Sequence, residues 1–285
     1  GGDFTTFNRL PRNRLAVLTG PGLLDPGFDP GAATNTVVYA MAMHGPALRA
    51  LSGRLIVGGD FTAIAGVSAN RVGRLLTNGV FDASFDVGSG ANGAVRALAL
   101  QTNGQVVIGG VFTAVNGTNR NFLARLNTDG SMDPFYNSGA GFNNAVYAVT
   151  LQADSRAIVG GLFSQVGLFN RNFIARMSTN GSLDLSFNPG LGANGSVRAV
   201  AVQNDGRILI GGDFTEYNGF RCPYVTRLSP DGSRDTNFVC AAPNAPVQAI
   251  AVDALGNILS SGSFTAVGTV PRGRLARLFP TNGLL

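Results

Sequence analysis

The sequence predicts an all-β fold, a β-propeller of four-stranded antiparallel blades, with five blades favoured. Three observations carry that expectation. The landmark Gly-Gly-x-Phe-Thr/Ser begins at Gly1, Gly58, Gly109, Gly160 and Gly211, with a weaker copy at Ser261. Its second glycine falls at positions 2, 59, 110, 161, 212 and 262, so the repeat period is 57, 51, 51, 51 and 50 residues, which suits propeller blades. No segment keeps a 3.6-residue apolar period for three turns, and 40 of the 285 residues are glycine; such a chain turns often and builds few helices.

Each unit reads as four strands in order. The first alternates, as in residues 95–101 (Val-Arg-Ala-Leu-Ala-Leu-Gln) and 197–203 (Val-Arg-Ala-Val-Ala-Val-Gln). An Asn-Gly or Asp-Gly hairpin turn joins it to a β-branched second run that ends in Gly-Gly, as at 106–110 and 208–212. The near-continuous apolar character of these two runs suits strands packed between neighbouring sheets. The third strand ends near Ala-Arg-Leu, at 123–126, 174–177, 225–228 and 275–278, with degenerate copies at 15–18 and 72–75. A brief fourth segment surrounds Asp-x-x-Phe, from Asp25 to Phe28, Asp82 to Phe85, Asp184 to Phe187 and Asp235 to Phe238; the copy from Asp133 to Phe135 reads as one residue shorter. Both sets of phenylalanines are expected to wedge between sheets.

The runs Asp205-Gly206-Arg207-Ile208, Gly211-Gly212-Asp213-Phe214 and Asp231-Gly232-Ser233-Arg234-Asp235 resemble the delta-60 repeat family of bacterial tandem repeats. The resemblance spans the chain and implies a β-propeller. It implies no activity, so no functional residue is carried over from it.

Residues 1–285 read as a single array, with units 1–58, 59–109, 110–160, 161–211 and 212–262 and a partial unit 263–285. Five first strands and six Ala-Arg-Leu strands do not make whole units. A five-bladed ring would let the segment near Asp25 and Phe28 complete the blade begun by residues 247–279; flanking repeats would make six blades or, less simply, an open superhelix. The longer second spacing requires an insertion of about six residues within 1–58.

The charge pattern bears on partners. The formal net charge is +5 and every cation is arginine. Arginines that recur once or twice per repeat argue for structural use and against nucleic-acid binding. No run of about 18 apolar residues predicts a transmembrane helix.

The conspicuous column is Arg74, Arg125, Arg176, Arg227 and Arg277 on the third strand, with Asp82, Asp133, Asp184 and Asp235 eight residues after the first four. The expectation is one Arg–Asp bridge per blade; the alternative is a ring of arginines facing an acidic ligand. A second arginine, at Arg12, Arg71, Arg120, Arg171, Arg221 and Arg272, is expected to open the third strand and to bond within its loop. Cys222 and Cys240 are candidates for one disulfide and lack zinc-site spacing. His44, the one histidine, reads as a strand-end turn residue. Segments 127–133, 178–184 and 229–235 have some of the oxygen ligands of calcium loops but lack the terminal bidentate glutamate, so tight turns are the expectation. Asn116, Asn180 and Asn194 match glycosylation acceptors but read as turns.

No catalytic set and no cofactor site emerges. The leading expectation is a non-enzymatic bacterial β-propeller, secreted or at the cell surface, that serves as a protein-binding or self-assembling scaffold. The rivals are a calcium-dependent, lectin-like propeller and an enzyme with a site in the central channel. The loops at 29–35, 87–93, 137–144, 188–195 and 239–246 differ between copies and are the first place to seek a binding surface.

Overall fold

The computed structural model describes every residue except Ala32 and Ala241, which belong to two of the variable loops. The chain forms two compact units, Gly1–Asn137 and Ser138–Leu285. The described residues form strands, turns and bends and no helix.

In the first unit, a ribbon of β1 (Thr6–Phe7) and β2 (Leu10–Pro11) precedes two sheets. The first sheet runs β3 (Val38–Met43), β4 (Leu55–Gly59), then a ribbon of β5 (Ala63–Ile64) and β6 (Val67–Ser68), then β7 (Val72–Leu75). The second repeats it with β8 (Val95–Leu100), β9 (Val106–Gly110), β10 (Ala114–Val115), β11 (Thr118–Asn119) and β12 (Leu123–Leu126). The second unit holds three more copies. These are β13 (Val146–Leu151), β14 (Ala157–Gly161), β15 (Gln165–Val166), β16 (Phe169–Asn170) and β17 (Ile174–Met177); β18 (Val197–Val202), β19 (Ile208–Gly212), β20 (Glu216–Tyr217), β21 (Phe220–Arg221) and β22 (Val225–Leu228); and β23 (Val247–Val252), β24 (Ile258–Gly262), β25 (Ala266–Val267), β26 (Val270–Pro271) and β27 (Leu275–Leu278). Each sheet is an antiparallel meander with its second strand in the middle.

The fourth strand is smaller than the sequence suggests. It is one bridge, Leu75↔Phe81 and its equivalents Leu18↔Leu24, Leu126↔Met132, Met177↔Leu183 and Leu228↔Arg234. Asp-x-x-Phe itself is a turn. Asp82 Oδ1 accepts the Ser84 N–H at 3.1 Å and the Asp82 carbonyl accepts the Phe85 N–H at 3.1 Å, so the aspartate takes the amides that a strand would need. The segment read as a loop between second and third strands is instead a two-stranded ribbon. In two copies its turn has the Asn-Gly hairpin chemistry with both residues at positive φ, Asn116 (46°) with Gly117 (73°) and Asn218 (49°) with Gly219 (78°).

The landmark glycines now have reasons. Every first strand has a register shift one residue in, between Val38 and Ala40, Val95 and Ala97, Val146 and Ala148, Val197 and Ala199, and Val247 and Ala249. The second landmark glycine sits opposite this bulge. A Cβ on Gly110 would lie 2.1 Å from the Ala94 carbonyl oxygen and one on Gly212 2.0 Å from that of Ser196, so no side chain fits. The first glycine faces the next sheet. A Cβ on Gly58 would lie 2.7 Å from Val95, and one on Gly160 or Gly211 would lie 2.6 Å from Val197 or Val247.

The landmark phenylalanines Phe61, Phe112, Phe163, Phe214 and Phe264 are fully buried. Phe85, Phe187 and Phe238 of the turn motif are buried as well. The apparently short copy is a misreading: Tyr136 fills the buried place at the usual spacing from Asp133, and Phe135 is 83% exposed. The six-residue insertion lies in the β3–β4 hairpin. His44 N–H bonds the Arg54 carbonyl, ten residues on, where Gln101 N–H bonds that of Gln105, four on. The enlarged hairpin places Leu48 and Leu51 beside Arg74, Ser84 and Thr128, around an open cavity of about 470 Å³.

Candidate functional site

The hairpin-turn end of each sheet holds the arginine column. Arg74 Nε donates to Asp82 Oδ2 at 2.7 Å, Arg125 Nε to Asp133 Oδ2 at 2.8 Å, Arg176 Nε to Asp184 Oδ2 at 2.7 Å and Arg227 Nε to Asp235 Oδ2 at 2.8 Å. The structure therefore brings all four sequence pairs together. Each guanidinium also covers an aromatic ring, with centroid distances of 4.8 Å to Phe85, 4.6 Å to Tyr136, 5.1 Å to Phe187 and 4.9 Å to Phe238. Some of the remaining donors stay in the sheet, as Arg74 Nη2 to Ser84 Oγ at 3.1 Å and Arg176 Nη2 to Ser186 Oγ at 3.0 Å, and others cross to the next sheet. Arg74 Nη1 bonds the Thr128 carbonyl at 2.7 Å, Arg176 Nη1 bonds that of Pro230 at 2.6 Å, and Arg227 reaches those of Pro280 and Thr281. These donors are consumed within the protein, so Arg74, Arg176 and Arg227 have little left for an external ligand.

The carboxylates respond to this setting. Burial would raise the Asp82 carboxyl, but bonds from Ser84 and Arg74 outweigh it and hold its pKa at about 2. Asp184 is held at about 2 in the same way by Ser186, Arg176 and Arg156. His44 occupies the register of Gln101 and Gln203, whose Oε1 atoms accept from Arg125 and Arg227 at 3.4 and 3.3 Å. Both of its ring nitrogens are buried without a hydrogen-bond partner among the described residues. Burial first, then Arg74 and Arg54, lower its pKa, against a smaller opposite pull from Asp82.

The candidate calcium segments are hairpin turns. Asp129 Oδ1 accepts Ser131 N and Oγ, Asn180 Oδ1 accepts those of Ser182, and Asp231 Oδ1 those of Ser233. Among the described residues, no three His, Cys, Asp or Glu groups gather in one place.

The other end of each sheet carries the loops and ribbons. One asparagine per sheet ties them together. Asn92 Oδ1 accepts the Thr113 and Ala114 amides at 2.9 and 3.0 Å while its Nδ2 donates to Thr113 Oγ1 at 2.9 Å. Asn35, Asn143, Asn194 and Asn244 repeat the clamp. Asn194 is therefore engaged in the fold, and Asn116 Oδ1 accepts the Ser89 amide at 3.1 Å.

The second arginine column divides between registers. Arg12, Arg120, Arg171 and Arg272 share one position, with amides bonded to Thr5, Thr113, Ser164 and Thr265. Ala69 and Cys222 hold that position in the other two copies. Arg71 belongs two residues further on, with Arg14, Phe122, Phe173, Tyr224 and Arg274, all at φ between 66° and 71°. Arg221 ends a ribbon strand. The single column misled because three arginine positions lie within four residues. Cys222 forms a disulfide with Cys240, Cα–Cα 5.2 Å, and ties the ribbon β20–β21 to the loop before β23.

Sequence reading missed the bulge. The unpaired first-strand residue it creates is Tyr39, Arg96, Tyr147, Arg198 or Gln248. Bulges re-aim side chains, and here the residue type changes from sheet to sheet on a fixed scaffold. Within the first unit Arg96 covers the Tyr39 ring at 4.5 Å. Within the second, Arg198 covers Tyr147 at 5.7 Å and pairs with Asp213 through Nε at 2.8 Å. Ser196 Oγ also donates to Asp213, at 2.5 Å, and Gln248 Nε2 reaches Ser263 Oγ at 3.2 Å. The available sequence signal was the varying x of Val-x-Ala.

Known proteins place this architecture. No curated protein matches the chain. Solved structures match at the level of fold. A chain in a crystal structure of the mitotic checkpoint complex gives a TM-score of 0.54 at 14% identity and covers 85% of this chain and 61% of its own. The extracellular domain of a putative one-component system from B. thetaiotaomicron gives 0.51 at 16%, with 92% and 31% covered. The extracellular domain of a putative hybrid two-component system from the same organism gives 0.51 at 14%, with 84% and 28% covered. The chain thus spans less than two thirds of each neighbour's length. A family model described as a beta-propeller domain of unknown function, DUF5122, matches residues 52–85, 101–135, 152–187, 203–238 and 256–285. These matches cover more than half of the chain, each running through one Ala-Arg-Leu strand, and the chain belongs to this β-propeller family.

Proposed function

We propose that the chain is a non-enzymatic, secreted or cell-surface scaffold, with five sheets acting as blades and the loop end as its binding surface for a protein partner or another copy. One observation carries this reading. The polar groups at the turn end largely satisfy one another, whereas the loop end holds the bulge residues and loops that change between copies. Two of the structural neighbours being extracellular domains supports a location outside the cell, as does the resemblance to delta-60 repeats. The test is cross-linking on intact producing cells with the wild-type chain and with the Arg96→Gln/Arg198→Gln variant. Partners that depend on both arginines, at unchanged melting temperature, support the reading. An identical set of partners for the two proteins overturns it.

A carbohydrate-binding reading draws on the half-exposed Arg198–Asp213 pair beside Tyr147, a setting suited to sugar hydroxyls. Calorimetric calcium titration and a glycan array with and without calcium test it. Saturable glycan binding lost in Arg198→Gln supports the lectin; no glycan binding in either condition removes it.

A further inference from the structure

Three ribbons of the second unit, β15–β16, β20–β21 and β25–β26, each follow a second strand and so leave the same end of their sheets. At one shared register they carry Phe169, Phe220 and Val270, which are 48%, 57% and 40% exposed, and Leu168 at the first ribbon's turn is 96% exposed. Leu168 sits at a hairpin tip, and the Arg234 guanidinium lies over the Phe220 ring at 4.9 Å, which places a further cation beside the second ribbon. A soft apolar medium can take up such projections without a preformed pocket.

Arginine follows each projection. Arg171, Arg221 and Arg272 make none of the second unit's ion pairs among the described residues. Arg171 and Arg272 turn Nη1 back to the Asn170 and Pro271 carbonyls, at 2.8 and 2.9 Å, and the buried Arg171 Nε has no acceptor among the described residues. The one carboxylate on these six strands is Glu216, opposite Arg221 in the ladder. The surface is therefore apolar at its tips and cationic just behind them, in a chain with a net charge of +5.

We propose that these ribbon tips seat the second unit on an anionic lipid surface. Leu168, Phe169 and Phe220 enter the acyl boundary, and the arginines meet headgroup phosphates. This inference stands apart from the search for a protein partner, and either result can fail without the other.

The experiment is co-sedimentation of the full chain with vesicles of phosphatidylcholine alone or mixed with phosphatidylglycerol, at low and high salt. Binding is expected on the anionic vesicles only and weakens with salt. The Arg171→Gln/Arg221→Gln/Arg272→Gln variant should lose about fivefold per arginine, roughly 100-fold in all. The Leu168→Ser/Phe169→Ser variant should lose about tenfold or more. Both should melt with the wild type. Equal binding to the two vesicle types, or full binding by either variant, overturns the proposal. Titration with inorganic phosphate separates the sources of the anion, because saturable phosphate binding without vesicle binding also overturns it.

Discussion

Arg227→Ala gives the sharpest test of how the sheets are held. Arg227 is 1% exposed, and its guanidinium serves Asp235, Gln203, the Pro280 and Thr281 carbonyls, and the Phe238 ring. Truncation leaves Asp235, itself 5% exposed, with the Asn237 amide at 3.0 Å and, as its cation, Arg207, whose Nε is 3.3 Å away on a side chain that is 41% exposed. It also strips donors from two carbonyls of the next sheet. Breaking a buried pair costs about 3–5 kcal/mol, and the lost ring contact adds about 1 kcal/mol. A total near 4–6 kcal/mol corresponds to a melting temperature about 10–20 °C lower for a unit of this size. Urea and thermal melts of the full chain measure it, together with Asp235→Ala and the double variant. If the stranded carboxylate is the main penalty, the double variant loses about 2 kcal/mol less than the sum of the singles. A loss below about 1 kcal/mol for Arg227→Ala, or strict additivity, would refute the staple. Arg227→Lys should not rescue it, because an ammonium cannot serve the same divergent acceptors.

Four further outcomes follow from the same geometry. Tyr136→Ala should cost about 3–5 kcal/mol in a denaturant melt while Phe135→Ala stays within about 0.5 kcal/mol, since only the first ring is buried. Asp82 and Asp184 are held below the usual carboxylate pKa when folded, so their stabilisation is present above about pH 4 and lost as pH falls towards 2; each contributes about 2 kcal/mol, and Asp82→Asn should flatten that part of the stability–pH curve. His44 acts with the same sign at higher pH: its lowered folded pKa means that stability is full above about pH 6.5 and declines below it, and His44→Gln should abolish this slope in urea midpoints. Reduction of Cys222–Cys240, or the Cys222→Ala/Cys240→Ala variant, should cost about 3 kcal/mol for a loop of this length, whereas an unchanged melt would show that the tie is dispensable.

Much of the fold was legible in the sequence because its causes are local. Asn-Gly and Asp-x-x-Phe each describe a turn within a few residues, and Arg74 and Asp82 lie on adjoining arms of one hairpin. What escaped was set by pairing between distant segments. The bulge at Arg96 exists because of how β8 meets Gly110, and no property of Arg96 itself announces it. Tyr136 was passed over because phenylalanine was the sought aromatic, although burial beneath a guanidinium admits either ring. The positive-φ residues Phe122, Phe173 and Tyr224 were invisible for a related reason. Their backbone conformation is imposed by the ribbon that precedes them, against the preference of a bulky side chain.

The first landmark glycine also governs which sheets are interchangeable. At Gly58, Gly160 and Gly211 the absent side chain makes room for the leading valine of the sheet that follows. Any sheet with that glycine can precede any sheet with that valine, so duplication, deletion and reordering of whole units leave this joint intact. The last copy breaks the rule, because Ser261 stands where the glycine should be. A Cβ at that place would meet such a valine, so the sheet of β23, β24 and β27 cannot precede one of these valine-led sheets without a compensating change, and a single β-carbon decides which neighbours a unit accepts.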